Sequence, residues 1–282
     1  MLVAALDTAT LTLSCALVDV SPGAPPRLRC ERIEHAPAKA PRAGRVRGRP
    51  DAPGAGAGRE PTPGGSPPGP SGHSARLPQA LSDLLAAEGL AIPDIEGYAI
   101  GLGPGSFTGL RIGLATWKGL AYANRRPIAG GSSLAAMALA AAADAEEGTL
   151  LVPLLDARKG EVYAGFYRAR AGGIVEVEAD AALPPPALAG RLGAMLPAGS
   201  AAAGFGEGYE AYATVLGPDL ARLDTEVRTP PALAVASFVA ERLSLEPWDA
   251  RALFALEPHY VRPSEAELKF PRGLGPGARG DG

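Results

Sequence analysis

The segment GLGPGSFTGLRIG, residues 101–113, joins a predicted strand directly to a predicted helix. Glycine occurs where the backbone takes a positive φ or approaches another group closely, and the first turn of a helix offers free N–H groups to an anion or a partner. The segment lacks the Gly-Lys-Ser/Thr ending of a Walker loop and the spacing of a dinucleotide-binding loop. Residue chemistry alone therefore supports a tight structural turn about as well as a phosphate-binding turn.

Two apolar runs in the chain end in an aspartate, LVAALD at residues 2–7 and LLVPLLD at residues 150–156. Each run is followed within a few residues by another predicted strand, at 11–18 in the first copy and at 161–167 in the second. A third predicted strand at 27–33 extends the first copy into a meander. This repetition predicts an α/β fold with two internally duplicated lobes.

Apolar periodicity predicts helices in the rest of the chain. Leucines at helical spacing indicate a helix at 74–88, and Pro78 places its start near Leu77 or a kink there. A second helix follows the glycine-rich turn, with Ser106 or Thr108 as its N-cap. Two further helices are predicted, an alanine-rich one at 134–143, which is about half as long as a membrane span, and one at 231–243.

The composition excludes several classes of protein. A chain of 282 residues that is 46% hydrophobic can form two modest cores, and its net charge of −3 argues against binding nucleic acid mainly through a basic surface. Two cysteines are too few for a disulfide framework, and the N-terminus lacks the basic start of a signal peptide. We therefore predict a cytoplasmic protein without a membrane-spanning segment.

Residues 36–72 interrupt the pattern of strands and helices. The segment is rich in proline and glycine, has no aromatic residue, and carries six Lys/Arg against Asp51 and Glu60. Such a composition offers too few apolar groups to offset the entropy cost of ordering. We predict a disordered basic insertion here, and we expect its deletion to be tolerated.

Taken as one string, GPGSFTGLRIG together with Leu6-Asp7-Thr8-Ala9-Thr10 resembles the bacterial TsaB family. The resemblance extends over residues 1–33 and 72–167 and includes PHYVR at 258–262. It implies two RNase H-like lobes of the actin, sugar-kinase and chaperone ATPase superfamily. The implied division is an N-terminal lobe at 1–130, completed by a helix within 231–256, a C-terminal lobe at 131–230, and a partly disordered tail at 257–282.

The resemblance also implies a function. TsaB proteins are partner subunits in making N6-threonylcarbamoyladenosine next to the anticodon of tRNAs that read codons starting with A. A member is expected to be inactive alone and to pair directly with the catalytic relative TsaD through helices of its N-terminal lobe, while the ATPase TsaE joins the assembly. The chain is expected to bind tRNA only through the complex and to need no cofactor, since ATP and Mg²⁺ are used by its partners. Homodimer formation without the partner is left open.

Six residues are candidates for a vestigial nucleotide-binding turn. In ATPases of this superfamily two lobe aspartates hold magnesium while glycine-rich turns bind phosphate. Aspartate also commonly caps a turn through its own side chain, so a purely structural role is the competing interpretation. The six candidates are Asp7, Thr8, Gly103, Gly105, Ser106 and Asp156.

A partner surface is predicted on the two consecutive amphipathic helices, because each carries an apolar stripe and small residues that permit close approach. An ordinary core role for the same stripes is the competing interpretation. The residues assigned to this surface are Leu81, Leu85, Gly109, Gly113, Leu114 and Trp117.

Two other functional classes follow from the same residues. A small-molecule kinase would use Asp7, Asp156 and the turn at 103–109, and would bind ATP without a partner. A metallopeptidase would need paired histidines, and TsaD carries two such histidines one helical turn apart. Here the position four residues after His73 is Leu77, so the pair is broken and no metal site is predicted.

Overall fold

The computed structural model describes residues 1–35, 72–196 and 201–262. The basic insertion predicted at 36–72 lies outside the described residues except for its last position, and so does most of the tail predicted at 257–282. The strands, helices and contacts of the protein are described for these three ranges.

The first sheet combines a three-stranded antiparallel meander with two parallel strands. Its order is β3-β2-β1-β4-β5, with β1 paired antiparallel to β2 and parallel to β4. The central strand is buried along its whole length, as its continuous apolar sequence requires. The five strands are β1 (Leu2–Asp7), β2 (Leu13–Ser21), β3 (Ala24–Glu34), β4 (Gly97–Gly101) and β5 (Ile128–Gly131).

The second sheet repeats this arrangement. Its order is β10-β9-β6-β7-β8, again a meander of three antiparallel strands followed by two parallel ones. The identical strand order confirms the predicted internal duplication. The five strands are β6 (Leu150–Arg158), β7 (Glu161–Arg170), β8 (Gly173–Leu183), β9 (Ala202–Phe205) and β10 (Leu220–Arg222).

Seven α-helices occur in the described ranges. They are α1 (His73–Ala87), α2 (Phe107–Asn124), α3 (Ser133–Ala141), α4 (Pro185–Met195), α5 (Glu207–Tyr212), α6 (Ala232–Leu245) and α7 (Ala250–Ala255). None of the helices described is long and apolar enough to cross a membrane.

The helices enclose each sheet in apolar side chains. Helices α1 and α2 cover one face of the first sheet, where Trp117 and Leu77 share a core with Leu6. Helix α6 covers the opposite face through Val235 and Val239. We call this assembly the N-terminal lobe, and the second sheet with α3, α4 and α5 the C-terminal lobe. The predicted numerical division at 130 and 230 stays a prediction.

Two helix boundaries differ from expectation. Helix α1 starts at His73, one residue before the predicted range of 74–88, and it contains Pro78 in its interior, so of the two alternatives at Pro78 the start near Leu77 is wrong. The predicted helix within 231–256 is two helices, α6 and α7. Pro247 lies between them, and a residue that precedes proline is disfavoured in the helical conformation.

Candidate functional site

A cleft of about 310 Å³ lies between the two lobes, at the ends of β1 and β6. The glycine-rich turn supplies one wall and the β6–β7 turn supplies the other. The lining residues are Ala9, Thr10, Leu11, Gly105, Ser106, Phe107, Leu155, Asp156, Ala157, Arg158, Lys159, Tyr163, Glu207 and Arg262. Of the six residues predicted for a nucleotide-binding turn, Gly105, Ser106 and Asp156 line this cleft, whereas Asp7, Thr8 and Gly103 do not. Nucleotide binding at this turn stays a prediction.

Asp7 is buried beneath the glycine-rich turn. Its Oδ1 accepts the Ala9 N–H at 2.7 Å, and its Oδ2 accepts the Ser133 hydroxyl at 2.6 Å. A Cβ placed on Gly101 would lie 1.8 Å from Oδ2, so glycine is required there. Burial raises the pKa of Asp7 to about 7, although the two hydrogen bonds oppose the shift. Both carboxylate oxygens are used inside the fold.

Ser133 connects Asp7 to the glycine-rich turn. Its hydroxyl also accepts the Gly103 N–H at 3.1 Å, while its own N–H donates to the Gly103 carbonyl at 2.7 Å. Gly103 has a φ of 95°, in the region that favours glycine. Sequence reasoning missed Ser133; the Ser-Ser pair that precedes an alanine-rich helix was an available signal, because serine is a common N-cap.

The glycines at positions 105, 109 and 113 pack against the turn after β1. Cβ atoms on Gly105, Gly109 and Gly113 would lie 2.3 Å from Ala9 O, 2.2 Å from Thr8 O and 2.4 Å from Thr8 Oγ1, respectively. The Thr8 hydroxyl donates to Gly109 O at 3.0 Å. Their four-residue spacing therefore serves close contact between α2 and β1 within the chain.

Ser106 is the N-cap of α2, and its hydroxyl accepts the Gly109 N–H at 3.2 Å. Its own N–H donates to Ala9 O at 2.6 Å. The Gly103 and Ser106 amides are thus engaged within the chain. A phosphate bound at this turn would have to displace those contacts or use the remaining amides of the first helical turn.

Asp156 lies at the equivalent place in the C-terminal lobe and faces the cleft. Its Oδ1 accepts the Arg158 N–H at 2.8 Å and the Tyr212 hydroxyl at 3.2 Å. Its Oδ2 lies 3.1 Å from the Arg158 guanidinium. Asp156 therefore caps a turn in the same way as Asp7, but it pairs with a charged group instead of being enclosed.

The charges of the cleft are mixed. Arg262 donates to Glu161 at 2.7 Å, and Arg158 pairs with Asp156, so these cations are engaged with carboxylates of the same chain. Burial raises the pKa of Glu207, and the nearby Arg158 partly offsets this. Among the described residues no cluster of three His, Cys, Asp or Glu side chains could hold a metal ion.

The three histidines lie in different segments of the chain, and two of them make hydrogen bonds within the fold. His73 begins α1, its Nε2 lies 2.8 Å from Thr10 O, and burial lowers its pKa. His35 Nδ1 lies 2.9 Å from the Thr12 hydroxyl. His259 belongs to the segment after α7, far from the other two in the chain. His35 and His73 thus both hydrogen bond to threonines of the segment between β1 and β2.

A second concave surface, of about 560 Å³, lies between α1 and α2 on the outside of the N-terminal lobe. We call it the α1–α2 groove. Its lining is predominantly apolar. The lining residues are Leu77, Pro78, Leu81, Ser82, Leu85, Ala86, Leu90, Ala91, Ile92, Pro93, Thr116, Trp117 and Leu120.

The predicted partner residues divide into two groups. Leu81, Leu85 and Trp117 line the groove, although each is largely buried and the Trp117 indole N–H donates to Ala4 O at 3.0 Å. Gly109, Gly113 and Leu114 do not line it. They are buried within the N-terminal lobe, because the glycine face of α2 points at β1. The assignment of these three to an outer surface is corrected accordingly.

The exposed positions of the groove are ones that sequence reasoning did not select. Pro78, Ser82, Ala86 and Ile92 are exposed, and Leu120 is half-buried. Helical periodicity finds the most apolar side of a helix, which faces the core. The rim of such a stripe, where a partner can reach, carries small or moderately apolar residues and gives a weaker signal.

Comparison with known proteins finds similarity to TsaD and to TsaB proteins. The family model described as TsaD, tRNA N6-adenosine threonylcarbamoyltransferase, matches residues 66–212, just over half of the chain. The tRNA threonylcarbamoyladenosine biosynthesis protein TsaB of Escherichia coli is 38% identical over 120 residues, which cover 42% of this chain and 51% of that protein. TsaB of Bacillus subtilis is 37% identical over 108 residues, or 38% of this chain and 46% of its own. The matched part thus spans about half the length of these relatives.

Solved structures extend the similarity to nearly the whole chain. A Pseudomonas aeruginosa protein described as similar to the peptidase YeaZ superposes with a TM-score of 0.65 and 27% identity, covering 93% of this chain and 99% of that one. A second structure, YeaZ from the same organism, gives a TM-score of 0.64 and 26% identity. The fold is therefore shared over nearly the whole length of those two structures.

Proposed function

Because the chain belongs to the family of the tRNA threonylcarbamoyltransferase TsaD and, within it, to the TsaB proteins, we propose that it is a non-catalytic partner subunit in tRNA threonylcarbamoyladenosine synthesis. The proposal rests on the sequence match to curated TsaB proteins. In this role the chain pairs with TsaD, acts in the cytoplasm, and reaches tRNA only as part of a complex that TsaE joins.

The absence of a catalytic role is supported by the environment of Asp7. A magnesium-binding carboxylate needs free oxygens near the substrate phosphates. Both oxygens of Asp7 instead accept hydrogen bonds from Ala9 and Ser133, and Asp7 does not line the cleft. The second aspartate, Asp156, is paired with Arg158. Asp156 lines the cleft, so the support for a structural role comes mainly from Asp7.

The partner surface in this proposal is the α1–α2 groove. An apolar groove between two helices suits the apolar face of a partner helix. Its walls come from consecutive amphipathic helices, and its rim residues Ser82 and Ala86 are exposed. The same surface would serve a homodimer of this chain in the absence of TsaD.

A matched pair of substitutions tests the surface. Ala86→Glu places a charge in the groove, whereas Ala87→Glu places the same charge on the neighbouring exposed position outside the lining. We expect Ala86→Glu and Ser82→Glu to lose co-purification with TsaD while Ala87→Glu retains it, all with near-native melting temperatures. Retention of TsaD by every folded groove variant would place the partner surface elsewhere.

Reconstitution tests the function itself. The purified chain is combined with TsaD, TsaE and the enzyme that forms the threonylcarbamoyl adenylate, and modified tRNA is measured. We expect omission of the chain to abolish modification, and the chain alone to modify no tRNA. Full modification without the chain would overturn the proposal.

Calorimetry with ATP and Mg²⁺ tests the competing kinase interpretation. The proposal predicts that the isolated chain needs no nucleotide of its own. Magnesium-dependent binding tighter than ~10 μM, which is about −7 kcal/mol, together with its loss in Asp7→Asn, would favour an active nucleotide site. Retained tRNA modification by complexes carrying Asp7→Asn or Asp156→Asn is the expected result.

A further inference from the structure

The segment that follows α7 crosses from one lobe to the other. We call residues 257–262 the C-terminal strap. Helix α7 packs beside α2, where Lys118 Nζ donates to Phe254 O at 3.1 Å, so the strap starts from the N-terminal lobe. It then passes the glycine-rich turn and brings Arg262 to the mouth of the cleft.

On the N-terminal lobe the strap is held through the backbone of His259 and through the side chain of Tyr260. The His259 N–H donates to Leu102 O at 2.7 Å, within the glycine-rich turn. The Tyr260 ring packs on Phe107 with 5.3 Å between centroids, and its hydroxyl accepts the Arg111 Nε–H at 2.9 Å. The Arg111 guanidinium also lies 3.7 Å from the Phe107 ring centroid. These contacts fasten the strap to the first turn of α2.

On the C-terminal lobe the strap is held by an ion pair and by a contact between a histidine and a carboxylate. Arg262 Nη1 donates to Glu161 Oε2 at 2.7 Å, at the start of β7. His259 Nδ1 lies 3.7 Å from Asp180 Oδ2 on β8. Asp180 is only 2% exposed, and it also accepts the Ser132 and Tyr167 hydroxyls at 2.6 Å each. Asp180 therefore joins the strap to the N-cap of α3 and to the adjacent strands β7 and β8 of the second sheet.

We propose that the C-terminal strap is an interlobe clasp that fixes the relative orientation of the two lobes and the width of the cleft. The role is distinct from partner docking, because the strap does not line the α1–α2 groove. Each contact is worth little by itself at an exposed site. Together they tie both walls of the cleft to one short segment, so that opening the cleft breaks the contacts on one side at once.

The clasp predicts a particular pattern of mutant effects. Tyr260→Ala removes the aromatic anchor on the N-terminal lobe, and the pair His259→Ala with Arg262→Ala removes both side-chain anchors on the C-terminal lobe. A clasp holds only while attached at both ends. The pair on the C-terminal lobe should therefore release the lobes, whereas Tyr260→Ala should loosen the strap only in part, because the His259 N–H and α7 still hold it to the N-terminal lobe. Combining the changes should add little further movement. Glu257→Ala is the matched control, since Glu257 is an exposed strap residue outside these contacts.

Distances between spin labels, measured by pulsed electron paramagnetic resonance, read out the lobe orientation. Labels go on Ala123→Cys in α2 and Ala187→Cys in α4, both exposed, in a Cys30→Ser background. Burial raises the pKa of Cys15 to about 12, so its thiol stays unlabelled. We expect one narrow distance distribution in the parent chain and in Glu257→Ala.

In the anchor variants we expect a broader distribution shifted to longer distances, with near-native melting temperatures because the changed side chains lie at the surface. If the triple change lowers stability, Arg262→Gln alone should still broaden the distribution. An unchanged narrow distribution in every folded anchor variant would overturn the clasp. Partner binding measured on the same variants separates this result from failure of the proposed function.

Discussion

The turn after β1 and the turn after β6 hold the same position in two sheets of identical strand order, yet their surroundings differ. Asp7 and Asp156 each accept the N–H of the residue two positions later, at 2.7 and 2.8 Å. Asp7 is then enclosed by Ser133 and the glycine-rich turn, whereas Asp156 faces the cleft and pairs with Arg158. The duplication preserved the local turn, while the packed helix decided which aspartate is buried.

Disrupting the packing of α2 against the turn after β1 should have the largest effect on stability. Gly113→Leu forces a side chain into a site where Cβ alone would lie 2.4 Å from Thr8 Oγ1, so we expect destabilisation of about 3 kcal/mol or more. Gly119→Leu in the same helix is the control, because its Cβ meets nothing within 4 Å. Urea unfolding of both variants checks this, and equal stabilities would show that α2 tolerates displacement from β1.

Removing the hydrogen bonds by which Ser133 joins α3 to Asp7 and to the glycine-rich turn should reduce stability less. Ser133→Ala leaves a buried Asp7 oxygen and the Gly103 N–H without the shared hydroxyl, and we expect a loss of about 2 kcal/mol in unfolding free energy. Ser82→Ala on the exposed side of α1 should leave stability almost unchanged. A Ser133→Ala protein as stable as the parent would mean that water replaces the hydroxyl.

The pH dependence of stability reports on the buried Asp7. The pKa of Asp7 is raised from 3.8 to about 7 in the folded chain, so between these values the folded state keeps a proton that the unfolded state has lost. Stability contributed by this group is therefore lost as pH rises through that window, by up to about 1.4 kcal/mol per pH unit. Denaturation at several pH values checks the slope.

Asp7→Asn should flatten that slope, because the neutral amide carries no titrating proton, so the variant gains stability relative to the parent as pH rises from 4 to 7. Parallel pH profiles for Asp7→Asn and the parent would contradict the assignment of the buried proton to Asp7.

A change in the turn after β6, which faces the cleft, should have the smallest effect on stability. Arg158→Gln removes the ion pair to Asp156, and because the arginine side chain is 65% exposed we expect a change below about 1 kcal/mol. The effect should shrink further in about 1 M salt, where exposed charges are screened. A larger, salt-independent loss would show that Arg158 supports the cleft wall through contacts other than this ion pair.

Much of the fold follows from the sequence alone. Apolar runs ended by an aspartate predicted β1 and β6, helical spacing predicted α1 and α2, and Ser106 was one of two expected N-caps. These features are local, since period, capping and turn chemistry act over a few residues. Short elements such as β5 and β10 carry too little local signal, and their pairing partners lie far away in the chain.

Only the tertiary structure decided which individual side chains are buried and which residues they contact. The same Asp-turn pattern gave a buried carboxyl in one lobe and a paired one in the other, and the glycine stripe of α2 turned inward to β1 while the groove opened beside it. Asp180, Ser132 and His259 met from three distant segments. Sequence determines which residues can be buried or can cap a turn; which of them meet depends on long-range packing, which periodicity does not encode.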